Sequence, residues 1–164
     1  MADTYTVAPV AVVRSARSQP TDDEWGNETT TIELTPAYGP EAVLGLDGFS
    51  HLEVVYLFHL VDPEQPVRQA RHPRGNPGWP LTGIFAQRGK DRPNRLGLST
   101  CELLAVEGTT LTVRGLDAVD GTPVLDIKPY LSEFAPRTPV RQPAWSHELM
   151  AGYVTKGIEE PRGL

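Results

Sequence analysis

Seven short segments of strand-forming composition recur along the chain with glycine and proline turns between them, and this pattern limits the fold more than any other feature. Thr6 to Val13, Thr30 to Leu34, His51 to Leu60, Leu81 to Ala86, Leu98 to Val106, Thr109 to Leu116 and Pro123 to Ile127 are rich in Val, Thr, Leu and Ile, residues that suit a pleated, half-buried surface. Helical pattern is sparse. Pro40-Glu-Ala-Val-Leu before Gly45 predicts a turn or two, and Pro143 to Lys156 predicts one longer helix, with proline at its start and Gly157 beyond its end. Glu148, Leu149 and Tyr153 fit an amphipathic face there. Many short strands with few helices predict a mainly β fold, a small single-sheet β-barrel with few short helices and a C-terminal helix, because closure removes the exposed edges of an open sheet. Glu107-Gly108 predicts a hairpin turn joining an antiparallel pair from Leu98 to Leu116. The near-continuous apolar run from His51 to Leu60 predicts a strand covered on both faces, at the centre of the core or at a subunit interface.

The 164 residues, 39% hydrophobic and 22% charged, suffice for one domain with a real core and not for two full-sized ones. No apolar run approaches the roughly 18 residues that cross a bilayer, and the first residues lack the basic-then-apolar order of a secretion signal, so a cytoplasmic protein is expected. The single cysteine, Cys101, excludes an internal disulfide and a thiolate zinc site, and in an apolar strand it reads as packing. His51, His72 and His147 have no metal-ligand spacing, and no metal is expected. The absence of a βαβ order, of G-x-G-x-x-G after a strand and of a phosphate-binding G-x-x-x-x-G-K-[ST] argues against a Rossmann domain and a P-loop ATPase.

A net charge of −6 argues against a protein that coats nucleic acid by bulk electrostatics. The distribution is uneven. Ser18 to Val67 holds no lysine or arginine, whereas Arg68, Arg71, Arg74, Arg88, Lys90, Arg92 and Arg95 crowd a stretch opposed only by Asp91. The bland reading pairs these arginines with the acidic first third. The interleaved glycines and prolines favour the other, an anion-seeking surface on loops held in defined turns.

Two blocks stand out chemically. Gly83 to Thr100 runs from a strand through a basic Gly/Pro loop into a second strand and could grip a carboxylate or phosphate; Gly115 to Tyr130 places Asp117, Asp120 and Asp126 among apolar residues, followed by Lys128. Carboxylates in so apolar a run more readily accept defined hydrogen bonds, from a ligand or from loop amides, than sit unpartnered. Within these blocks, Phe85-Ala-Gln-Arg88 with Arg92-Pro-Asn-Arg-Leu-Gly-Leu-Ser99, and Asp120-Gly-Thr-Pro-Val-Leu-Asp-Ile-Lys-Pro-Tyr130, closely resemble the two signatures of the TrmO family, also called TsaA or YaeB-like proteins. Val13-Arg14-Ser15, Gly48-Phe49-Ser50-His51 and Phe58-His59 extend the resemblance over roughly Val7 to Tyr130.

The resemblance implies an S-adenosylmethionine-dependent methyltransferase on a β-barrel, acting as a homodimer on the threonylcarbamoyl-modified adenosine beside the anticodon of tRNA. It implies cofactor contacts from Phe58, His59, Arg88 and Leu98 and from the run Asp117, Ala118, Val119 and Asp120. An adenine needs an apolar slot and backbone hydrogen bonds, and a carboxylate tail suits an arginine fork. Asp120 and Asp126 are the candidate proton acceptors. Arg71, Arg74, Arg92, Asn94, Lys128 and Tyr130 are the candidates for holding the acceptor through phosphate contacts and stacking. Residues 1–140 are expected to form the barrel domain and 141–164 its helical extension. The chain departs from the family at Arg95, where proline is usual, at Gln87-Arg88-Gly89-Lys90 in place of Thr-Arg-Ser-Pro, and at Gln19 to Trp25, where a Pro-Arg-Gln motif is missing. The expected lack of a further C-terminal domain keeps two alternatives open: a small-molecule acceptor, and a non-catalytic S-adenosylmethionine-binding module.

Overall fold

Alternate burial along paired strands builds the core. The computed structural model describes residues 2–154. In β1 (Ala11–Arg14), β2 (Thr29–Leu34) and β3 (His51–Leu57) every second side chain turns inward, as the two-residue period of a strand requires. β4 (Ala70–Arg71) and β5 (Thr82–Gly83) form a separate two-stranded ladder; β6 (Leu96–Glu107), β7 (Thr110–Arg114) and β8 (Pro123–Pro129) complete the main sheet. Six strands close in the order β1-β2-β7-β6-β3-β8, every neighbouring pair antiparallel. Ala11, Val13, Ile32, Leu52, Val54, Leu111, Val113, Leu116 and Val124 are fully buried; at about 1.5–3 kcal/mol for each large aliphatic side chain taken out of water, this interior supplies the main driving force for folding. The expected barrel is therefore the observed architecture.

Particular segments differ from their expectation for local reasons. The β6–β7 hairpin turns through Gly108 and Thr109, with Glu107 opposite Thr110 and Gly108 at φ 61°, a left-handed conformation that suits glycine. β1 starts at Ala11 rather than Thr6, just after Pro9, which has no N–H to donate to a ladder. Leu81 to Ala86 is not a barrel strand: only Thr82–Gly83 pairs, with Ala70–Arg71, and Ile84–Ala86 closes into a 3₁₀ turn. In β3 only one face is fully buried, through Leu52, Val54 and Tyr56, while Glu53, Val55 and Leu57 are half-covered.

The predicted turn after Gly39 is a 3₁₀ turn, Pro40–Val43, and the predicted C-terminal helix is α1 (Ala144–Met150), preceded by Pro143. Residues 151–154 continue as turns, and the expected helix end at Lys156 and Gly157 lies outside the described residues. Among the described residues, no helix is long and apolar enough to cross a membrane.

Candidate active site at the barrel mouth

β3 finishes, β6 begins and the chain leaves β7 at the same end of the barrel, and a groove of about 1890 Å³ opens there. Its floor is built around Tyr56, the last inward residue of β3. Tyr56 pairs across the ladder with Gly97, whose missing side chain leaves room for the phenol ring: a Cβ there would lie 2.5 Å from Cζ. The edge of the β3–β8 ladder is bulged at this point, between Val55 and Tyr56, as strands beside functional sites often are. The Tyr56 ring meets Phe58 edge to face, centroids 5.4 Å apart, and Phe58 is held by its N–H donating to the Arg95 carbonyl at 2.8 Å.

At the centre of the groove Asp117 gathers hydroxyl groups. Tyr56 Oη donates to Asp117 Oδ1 at 2.7 Å, Ser99 Oγ donates to the same oxygen, and Tyr153 Oη donates to Oδ2. Burial raises the Asp117 pKa above the ordinary carboxylate range, against the opposing effect of the Ser99 and Tyr56 hydrogen bonds and the Arg88 charge. Burial, reinforced by the Asp117 charge, drives Tyr56 far above the usual phenol value, so it remains a donor at all physiological pH. The same two causes push Cys101 up to about 12, so this thiol stays protonated and is no nucleophile at neutral pH. Arg88 stands on the groove wall, with Nη2 donating to the Leu98 carbonyl at 2.8 Å.

The fold brings Phe58, His59, Arg88, Leu98, Asp117, Ala118 and Val119 together on this groove, with Arg71, Arg74, Arg92 and Asn94 around it. Several of the basic residues already have internal partners. Arg71 pairs with Asp91 at 3.1 Å, Arg74 pairs with Asp22 and Asp23 of the acidic early loop, and Arg92 donates to the Gln87 carbonyl at 2.8 Å. Of the basic stretch, Arg74 thus pairs with the acidic first third, while Arg88, Lys90 and Arg92 lie on the groove lining.

The remaining candidates sit elsewhere. Asp120 is exposed, and its carboxylate accepts the Ser15 N–H at 3.0 Å while its own N–H donates to the Arg17 carbonyl. Asp126 pairs with Lys128 Nζ at 2.8 Å along β8, and the Tyr130 N–H donates to the His51 carbonyl; none of these four lines the groove. Arg95 has φ 51° and donates its N–H to the Arg92 carbonyl. Proline can supply neither feature, so the departure at this position matches the backbone found here.

Sequence reasoning did not single out Tyr56, Ser99 or Tyr153 as site residues. The available signal was a tyrosine at an inward strand position, which needs a polar partner when buried. Among the described residues no group of three His, Cys, Asp or Glu side chains is arranged to hold a metal ion.

A closed antiparallel barrel whose mouth presents a half-buried carboxylate, a guanidinium and an aromatic pair around a groove of ligand size is a different class of architecture from the parallel, helix-covered sheets that usually bind nucleotides. The chain belongs to the tRNA-methyltransferase O N-terminal domain family, which matches residues 12–136. It is 44% identical over 131 residues to a Methanothermobacter thermautotrophicus protein named "Probable S-adenosyl-L-methionine-binding protein", covering 77% of this chain and 90% of the relative. It is 39% identical over 93 residues to the mouse tRNA (adenine(37)-N6)-methyltransferase, covering 57% of this chain and 21% of that protein. The crystal structure of TrmO from Pseudomonas aeruginosa superposes with a TM-score of 0.71 at 29% identity, covering 88% of this chain and 63% of that one. The chain thus spans most of the first relative and under two thirds of the other two.

Proposed function

We propose that this protein is an S-adenosylmethionine-dependent methyltransferase whose acceptor is an amino nitrogen of adenosine in tRNA. Family membership supports the reaction class, and one observation carries the site: the half-buried Asp117 carboxylate, raised in pKa by that burial, beside Arg88 on the groove. S-adenosylmethionine, when bound, supplies a methyl group made electrophilic by its sulfonium. The residues present fit that ligand. It carries two cationic centres and a ribose diol, which suit a carboxylate acceptor, and a carboxylate tail, which suits a guanidinium. Phe58 and Leu98 add apolar surface for a base. At about 1890 Å³ the groove exceeds the roughly 300–1,000 Å³ that one drug-sized ligand fills, leaving room for an acceptor nucleotide beside the cofactor. The chain's contribution to rate is then positioning two reactants for in-line attack.

The finer assignment, the threonylcarbamoyl-modified adenosine beside the anticodon as acceptor and a cytoplasmic homodimer as the working form, rests on the signature blocks quoted above. The position of Lys90, Arg92 and Asn94 on the groove lining supports phosphate contacts to a tRNA whose base enters the groove. A second reading, a small-molecule acceptor, is favoured by the internal pairing of Arg71 and Arg74, which leaves less free positive charge for RNA in a chain of net charge −6.

Arg88→Ala tests the cofactor site. Charged hydrogen bonds are worth about 1.5–3 kcal/mol, so calorimetric titration should show S-adenosylmethionine binding weakened by roughly ten- to a hundredfold. An unchanged dissociation constant in the folded variant removes Arg88 from the site.

A further inference from the structure

The C-terminal segment is fastened across the groove at three places. The early loop donates two main-chain hydrogen bonds to it, Glu24 N–H to the Gly152 carbonyl at 3.1 Å and Trp25 N–H to the Tyr153 carbonyl at 2.9 Å. Trp79 Nε1, in the chain between β4 and β5, donates to Glu148 Oε2 of α1 at 2.8 Å. The early loop is itself braced: Arg17 stacks on the Trp25 ring, 3.8 Å from its centroid, and donates to the Asp23 and Glu24 carbonyls, while Arg74 pairs with Asp23. These contacts converge on one result. They carry the half-buried Tyr153 side chain into the groove and set its hydroxyl on Asp117 Oδ2.

Building on the reading of Asp117 as the cofactor's polar anchor, we propose that Tyr153 is a positioning residue for that anchor, delivered by a C-terminal strap that forms one wall of the groove. The division of labour follows from the geometry. Tyr56 and Ser99, both on barrel strands, share Oδ1; Oδ2 receives its hydroxyl from the strap. Without the strap, the side-chain donors to Asp117 all act on Oδ1, and a hydroxyl on the opposite oxygen helps fix the plane that a ligand must meet. A hydroxyl donated to the charged form also favours ionisation. The groups facing Asp117 are Tyr56 from β3, Ser99 and Cys101 from β6, Arg88 from the basic loop and Tyr153 from the strap. Tyr56 and Cys101 are pushed up and stay protonated, and burial raises the Asp117 carboxyl, so acidification acts on this cluster through Asp117.

Tyr153→Phe deletes one oxygen and keeps the packing ring. Titration with S-adenosylmethionine from pH 5 to pH 8 should show binding weakened about tenfold at neutral pH, and its loss on acidification should set in at a higher pH than in the wild type. Asp117→Asn, run beside it, should bind nothing detectable at any pH. If Tyr153→Phe binds as the wild type does across the series while Asp117→Asn does not bind, the strap contact is structural only and the proposal fails while the cofactor site stands. If Asp117→Asn binds normally as well, the cofactor reading of this groove fails and takes the proposal with it. Tighter binding by Tyr153→Phe would also overturn it, by making the strap an occluding element.

Discussion

Asp117→Asn should abolish S-adenosylmethionine binding and yet raise the melting temperature of the free protein at pH 7. Both effects have one origin, a half-buried carboxylate whose charged form burial disfavours before its ligand arrives. The folded-state pKa is raised above the unfolded value of about 3.9, so folding disfavours the charged form. Above the unfolded value the unfolded chain therefore binds fewer protons at this residue than the folded one, and the wild type loses stability as pH rises through the folded pKa. Asparagine keeps the acceptor oxygen for Tyr56 and Ser99 and carries no charge to desolvate. Thermal unfolding should show the variant ahead by about 2–4 °C at pH 7, with the gap closing as pH is lowered toward 4. A variant that melts lower at pH 7 would mean that the three hydroxyl contacts to the ionised carboxylate outweigh its burial. Stabilisation at the expense of binding is the usual signature of a site built against its own fold.

Gly97→Ala should damage stability and binding together. The added methyl meets the Tyr56 ring, not the tip of a mobile chain, and that ring is fixed on one side by Phe58 and at its hydroxyl by Asp117. Overpacking a well-filled site costs about 1–3 kcal/mol, which in a chain of this size lowers the melting temperature by roughly 2–10 °C. Relief requires Tyr56 to tilt, which draws its hydroxyl away from Asp117, so S-adenosylmethionine binding should fall by at least tenfold in titration. The double variant with Tyr56→Leu should recover part of the stability without recovering binding, because the two residues share one contact. Normal binding by Gly97→Ala would show that the Tyr56 hydroxyl does not hold the anchor.

The strands were legible because their signal is local. Val, Ile and Thr at alternate positions mark Thr30 to Leu34 and Thr109 to Leu116 without knowledge of their partners, and the Glu107-Gly108 pair announces a hairpin with a two-residue turn. Partner choice is not local: β3 lies between β6 and β8, far along the chain, and its continuous apolar run gave no way to tell a fully covered face from a half-covered one. Leu81 to Ala86 has the composition of a strand and lacks a long partner, since its neighbour Ala70–Arg71 is bounded by Pro66 and Pro73. The site was partly legible through the signature that holds Arg88 and Leu98 and through the run from Asp117 that leads into the second signature. Three carboxylates at 117, 120 and 126 look alike in the sequence; burial separates Asp117 from the exposed Asp120 and the lysine-paired Asp126. Tyr56 and Tyr153 reach Asp117 from 61 and 36 residues away, a convergence that only the closed barrel and the returning C-terminal segment produce.

The most direct test of the central claim is mass spectrometry of nucleosides from tRNA incubated with the protein and S-adenosylmethionine labelled in its methyl group. A labelled methyl is expected on one modified adenosine, present with wild type and lost with Asp117→Asn and Arg88→Ala. Absence of label from every tRNA nucleoside, with the wild type binding S-adenosylmethionine tightly in the same preparation, would contradict a tRNA acceptor and leave the small-molecule reading in its place.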